Sequence, residues 1–91
     1  MKSRARKSFW RNHDGLPRSV QARAKLAYRQ FIMADPAHPS LQFKQVHPTL
    51  PVWSVRISAS YRAVGVRTKP DTIIWFFIGT HAEYERLLAS I

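Results

Sequence analysis

The chain has no cysteine, three glycines and only five carboxylate side chains among its 91 residues. Without cysteine there is no disulfide, no thiolate metal ligand and no thiol nucleophile. There is no Gly-rich phosphate loop and no GxSxG turn, so nucleotide-cradling and serine-hydrolase chemistry fall away. The acids are too few and too scattered for a paired-carboxylate hydrolase. The four histidines (13, 38, 47 and 81) offer no helical i,i+4 pair, and His13-Asp14 alone makes no metal site. No apolar run approaches the roughly 18 residues of a membrane span. The opening MKSRARKSFW is charged with no apolar stretch behind it, unlike a signal peptide. The expected compartment is therefore the cytoplasm, with no membrane partner.

What is present is an apolar fraction of 45%, with aromatics at 12%. A chain this size buries about 60–65% of the surface its unfolded form exposes, which suffices for one core. Residues 1–91 are read as a single domain.

Charge is the first positive clue. Fifteen Lys and Arg give a net +10, and nine of them fall in residues 1–30 against one acid, Asp14. A small domain with that asymmetry faces a polyanion, nucleic acid first and an acidic protein partner second.

Residues 1–7 read as a basic arm, extended or flexible. Ser8 is placed to cap a short helical turn through Phe9-Trp10-Arg11, closed at Asp14-Gly15. Pro17 suits the first position of a second helix running to about Ala34, stopped by Asp35-Pro36. On that helix Val20, Ala24, Ala27 and Phe31, with Tyr28 nearby, form the core stripe. Arg18, Lys25 and Arg29 share the opposite face without an acidic i,i+4 partner, which favours an anion-facing stripe.

Residues 35–40 read as loop, and the period then changes from 3.6 to 2. Leu41–Val46, Val52–Ile57, Tyr61–Arg67 and Thr72–Ile78 read as four strands joined by short turns, hence antiparallel neighbours. The run IIWFFI is apolar on both faces and is expected to be the central, two-sided strand. Thr80 and Glu83 form a capping box, and Tyr84, Leu87, Leu88 and Ile91 give the apolar face of a short last helix. The expected fold is α+β: N-terminal helices packed on one face of a small, mainly antiparallel four-stranded sheet, with a short C-terminal helix.

The remaining chemistry is cationic. Lys44, Arg56, Arg62 and His81 fall on neighbouring strands and at the start of the last helix, so they are expected to line one concave surface. That inventory suits RNA cleavage by attack of a 2′-hydroxyl on its own 3′-phosphate. The reaction needs no metal or cofactor, only proton transfer and positive charge on the crowded phosphate. His81 is the side chain suited to proton transfer near neutrality. Arg56 and Arg62 would grip phosphate oxygens, and Lys44 adds charge or acts as base. Tyr84, on the apolar face of its helix, reads as core.

The segments Phe43-Lys44, Trp53-Ser54-Val55-Arg56-Ile57, Tyr61-Arg62-Ala63-Val64-Gly65 and Ile78-Gly79-Thr80-His81-Ala82-Glu83-Tyr84, in that order, resemble the RelE/ParE superfamily of toxin–antitoxin toxins. The resemblance covers residues 8–91. It implies a compact microbial-RNase-like α+β fold and, for the RelE-like branch, an mRNA interferase: a ribosome-dependent endoribonuclease that inhibits translation and arrests growth. Arg56 and Arg62 would hold the scissile phosphate, Lys44 would be the basic residue of the first sheet strand, and His81 or Tyr84 would be the C-terminal acid/base. Arg11, Arg18, Lys25 and Arg29 would meet ribosomal RNA. A cognate antitoxin, the ribosome and mRNA are the implied partners. Only one lysine stands on the first sheet strand, and Ser40-Leu41-Gln42 before it supplies no carboxylate, so the base stays open. Two other readings stand beside this one: a ParE-type inhibitor of DNA gyrase, and a basic RNA-binding module without catalysis.

Overall fold

The period-2 half of the sequence builds most of the sheet. A computed structural model describes residues 1–34 and 38–91, without the side chains of 33 and 34. In chain order the elements are β1 (Lys2–Ala5), α1 (Lys7–Asp14), α2 (Arg18–Arg29), β2 (Lys44–Gln45), β3 (Val52–Ser58), β4 (Tyr61–Lys69), β5 (Thr72–Thr80) and α3 (His81–Ser90). A π-helical turn, Gln30–Ala34, continues α2, and a 3₁₀ turn, Pro39–Leu41, precedes β2. The Asp35-Pro36 stop lies outside the described residues.

The sheet has five strands, in the order β1-β5-β4-β3-β2, and not the four expected. The extra strand comes from the basic arm. Lys2–Ala5 pairs in parallel with Thr72–Trp75 of β5. The indole Nε1 of Trp75 donates to Ser3 Oγ at 2.9 Å, and the Arg6 N–H donates to the Trp75 carbonyl at 2.9 Å. With β1 on one side and β4 on the other, β5 is interior but not the central strand expected: β4 holds the middle place, and β1 covers what would otherwise be an edge. The other pairings are antiparallel.

The first predicted sheet strand, Leu41–Val46, shrinks to Lys44–Gln45. Leu41 belongs to the 3₁₀ turn as a buried plug, and Gln42 takes a left-handed conformation (φ 45°) that breaks the extended run. Ser8 is not the cap of α1; Arg6 holds that position, and the Ser8 hydroxyl donates to the Phe76 carbonyl at 2.9 Å. Phe76 is the extra residue of a bulge, since Val64 faces Phe77 while Gly65 faces Trp75. Ser8 therefore satisfies a carbonyl at the interrupted ladder.

The helices occupy both faces, not one. Helix α1 lies on β5 and α2 on β3, burying Ala24, Ala27 and Phe31 against Val55, Ile57, Ala63, Ile73, Trp75 and Ile78. On the other face α3 packs on β4 and β5, where Tyr84 is buried with Val52 and Val64. Between α1 and α2 the floor is Val55 and Ile57 of β3, Ala63 of β4 and Trp75 and Ile78 of β5, with Gly65 of β4 covered by the Trp75 ring. A Cβ on Gly65 would sit 2.9 Å from the Ile74 carbonyl oxygen and from Trp75 Cε3. This leaves an apolar groove of about 730 Å³, with Trp10 and Tyr28 at its mouth and Arg4, Arg18 and Lys25 around it. Tyr28, placed near the core stripe by its spacing, is 49% exposed there.

The capping box forms as the sequence requires. Thr80 Oγ1 accepts from the Glu83 N–H at 3.1 Å, and Glu83 Oε1 accepts from the Thr80 N–H at 2.8 Å. The backbone N–H of Thr80, then its hydroxyl, hold the Glu83 carboxyl below its ordinary 4.5. A lowered carboxyl contributes stability above the unfolded value and loses it as pH falls through the folded one. Thr80→Ala should cost about 1 kcal/mol near neutral pH. In chemical denaturation across pH, the cost of Glu83→Ala should be present at neutrality and fade once the carboxyl is protonated.

Candidate nucleic-acid interface

The β3–β4 hairpin aligns the two arginines. Arg56 and Arg62 are direct register partners, and Lys44 faces Ser54, two residues along β3. Successive side chains on a strand alternate faces, so Lys44, Ser54, Arg56, Arg62 and Val64 share one face. That face also carries α3, because Val64 packs with Tyr84. Like charges directly opposite on an antiparallel pair repel unless an anion lies between them.

The hairpin turn gathers the rest. Nη1 of Arg62 donates to the carbonyls of Ser58 (2.6 Å) and Tyr61 (3.0 Å). These bonds hold the guanidinium at the turn and leave its Nε–Nη2 edge with no partner among the described residues. The His81 N–H donates to the Ser60 carbonyl at 2.7 Å, which ties the start of α3 to the same turn. The His81 ring is half exposed, and its Nε2 lies 3.0 Å from Glu85 Oε1 one helical turn on. This carboxylate was not singled out from the sequence, although i,i+4 spacing was the signal. Tyr84 lies beneath His81, ring centroids 5.7 Å apart, and is buried. It backs the histidine and does not front the surface.

The other cations divide into two groups. Arg11, Arg18, Lys25 and Arg29 are exposed, and none joins an ion pair among the described residues. Arg18 and Lys25 line the apolar groove and so do not lie wholly on the far side of α2. Arg67 is committed to the fold: its guanidinium sits 4.6 Å from the Trp53 ring centroid, and its Nε donates to the Pro70 carbonyl at 3.0 Å. Arg23, not singled out from the sequence, shares a small cleft with Arg56.

Among the described residues no three His, Asp or Glu side chains come together to hold a metal ion. Among the same residues no helix is long and apolar enough to cross a membrane.

No family model matches the sequence, and no curated protein matches it significantly. Solved structures do match. The antitoxin–toxin complex RelB-RelE of Methanococcus jannaschii contains a chain that superposes with a TM-score of 0.73 at 17% identity, over 92% of this chain and 96% of that one. The YoeB/ParE toxin of Agrobacterium tumefaciens gives a TM-score of 0.67 at 16% identity, over 89% and 99%. A copper-bound mutant toxin of Helicobacter pylori gives 0.61 at 25% identity, over 91% and 97%. The α+β arrangement of a mixed sheet and three helices thus has the architecture of these toxins over nearly its whole length. The chain has the RelE/ParE toxin fold.

Proposed function

We propose that this protein is the toxin of a type II toxin–antitoxin pair, a metal-independent endoribonuclease that cleaves mRNA on the ribosome. The observation that carries this reading is the register pairing of Arg56 with Arg62 on the face shared with Lys44, beside a turn that fixes His81. Two arginines paired in register, neither in an ion pair with a carboxylate among the described residues, make a socket for a phosphodiester.

In the reaction the 2′-oxygen of one nucleotide attacks its own 3′-phosphorus, and the bond from phosphorus to the next 5′-oxygen breaks. The products are a 2′,3′-cyclic phosphate and a 5′-hydroxyl. The crowded phosphorane carries an extra negative charge, which Arg56 and the free Nε–Nη2 edge of Arg62 offset. Lys44 adds to that field or takes the 2′-hydroxyl proton. His81, oriented by Glu85 and packed on Tyr84, delivers a proton to the leaving 5′-oxygen.

The partner that silences such a site would be an antitoxin, as in the M. jannaschii complex. An acidic, amphipathic segment of it suits the apolar groove and its rim of Arg4, Arg18 and Lys25.

The test is expression in a sensitive bacterial host with mRNA ends mapped within minutes of induction. New in-frame cuts that vanish when translation initiation is blocked are expected. Arrest with intact mRNA and altered DNA supercoiling would move the target to gyrase; neither arrest nor cuts would leave a basic RNA-binding module. His81→Gln should lower the cleavage rate by about 100-fold while changing ribosome binding little. Unchanged cleavage would pass the acid role to Lys44.

A further inference from the structure

Arg56 has a second neighbourhood that catalysis on the hairpin face does not use. Strand β2 ends at Lys44, opposite Ser54, so beyond that point β3 is an open edge. The Val46 N–H donates to the Val52 carbonyl, so even-numbered residues of β3 up to Arg56 direct their backbone groups toward that edge. The Arg56 N–H therefore opens onto a cleft of about 240 Å³ between β3 and α2. Arg23, Gln30, Ser40, Arg56 and Ser58 are its polar lining. No carboxylate lines it among the described residues.

Its two arginines carry only donors. Ser40 Oγ lies 3.2 Å from Gln30 Oε1, and its single proton serves either that oxygen or His38 Nδ1. His38 Nδ1 lies 2.8 Å from the same hydroxyl and accepts from the Ser40 N–H at 3.2 Å, fixing the 3₁₀ turn that closes the cleft. Arg23, Arg56 and the strand-edge N–H of Arg56 thus border one cleft with no anionic partner among the described residues. Such an arrangement is stabilised by an anion with several acceptor oxygens.

We propose that this cleft binds a backbone phosphate of single-stranded RNA next to the scissile one, with Arg23 as its dedicated ligand and Arg56 shared between the two. This rests on the nuclease reading for the identity of the anion, not for its existence. Arg56 suits a shared role because its five donors form two separate edges. Its β4 partner, Arg62, lies on one side of it and Arg23 across the strand edge on the other. The cleft thereby sets the register in which an RNA strand crosses the hairpin.

Two probes separate the site from the reading. The first is inorganic phosphate, titrated while the ¹⁵N-¹H signals of the Arg Nε groups and the Ser40 amide are followed. Phosphate should move Arg23, Arg56 and Ser40 together, and Arg23→Ala should abolish the Ser40 shift without changing the melting temperature. Shifts confined to Arg62 and Lys44 would overturn the site. The second probe is a 2′-O-methyl RNA oligonucleotide, which cannot be cleaved, measured by fluorescence anisotropy across a salt series. Arg23→Ala should weaken it about fivefold and flatten the log–log salt slope by about one, with Arg23→Lys recovering the slope. Equal affinity and slope in wild type and Arg23→Ala would overturn the subsite and leave the nuclease reading standing. Phosphate shifts in the cleft with no oligonucleotide binding would overturn the RNA assignment, while the nuclease reading stands or falls on the mapped mRNA cuts.

Discussion

Arg56→Ala is expected to reduce single-turnover mRNA cleavage by about 100- to 1,000-fold, the usual effect of removing one preorganised group from a developing oxyanion. The same change should leave the protein as stable as before, or slightly more so. Arg56 faces Arg62 across the hairpin, and a like-charge pair at that spacing costs a few tenths of a kcal/mol up to about 1 kcal/mol when no anion lies between them. Function and stability are then opposed at this residue, as expected where a site holds strain for its ligand. Arg62 behaves differently. Its Nη1 bonds to two turn carbonyls belong to the fold, so Arg62→Ala should lose both activity and about 1–2 kcal/mol of stability. Arg62→Lys is the cleaner probe: it keeps charge and loses the Nε–Nη2 edge, so cleavage should fall while ribosome affinity holds. Melting temperature beside cleavage rate checks the set. An Arg56→Ala protein that is destabilised yet still cuts would remove the phosphate role.

The sequence carried the local structure well and the non-local structure poorly. The α2 stripe of Ala24, Ala27 and Phe31, the β3–β4 hairpin and the Thr80–Glu83 box all follow from spacing within one or two turns of chain. β1 does not, because its partner is about 70 residues away and Lys-Ser-Arg-Ala has no apolar alternation to advertise a strand. Its half-buried side chains are only Ser3 and Ala5. The signal lay in β5: an interior strand after a β3–β4–β5 meander needs a neighbour on its far side, and only the basic arm was left to supply one. The same limit applies to the candidate site. Alternation placed Lys44, Arg56 and Arg62 on one face, yet the carbonyls that hold Arg62 and the Glu85 that holds His81 emerge only once the turn and helix are built. Arg23 was invisible for a related reason. It gains a role from the early end of β2, which the left-handed Gln42 imposes and which an apparently continuous strand pattern conceals.

Trp75→Ala should have the largest effect on stability, because that one side chain joins three parts of the structure. Its ring is 5% exposed and packs edge-to-face on Phe31, centroids 5.5 Å apart, which couples β5 to the end of α2. Its indole N–H holds Ser3 of β1. It also lines the groove between α1 and α2, so truncation there enlarges a space already left open. Aromatic-to-alanine changes in a core cost about 3–5 kcal/mol. A domain of this size holds about 5–10 kcal/mol in total, so the variant should lose from about a third to all of its stability. Trp75→Phe separates packing from anchoring. It keeps an aromatic ring against Phe31 and loses the bond to Ser3, for a cost of about 1 kcal/mol plus a small cavity. Its particular mark should be faster amide hydrogen exchange over Lys2–Ala5 with β3 and β4 unchanged, because β1 has only β5 to hold it. Urea denaturation of the two variants, with exchange mapped by residue, decides the matter. A Trp75→Ala loss below about 1 kcal/mol would mean that the ring does not sit in the core at all. Exchange that rises uniformly in Trp75→Phe would mean that β1 is held by its ladder and not by the indole.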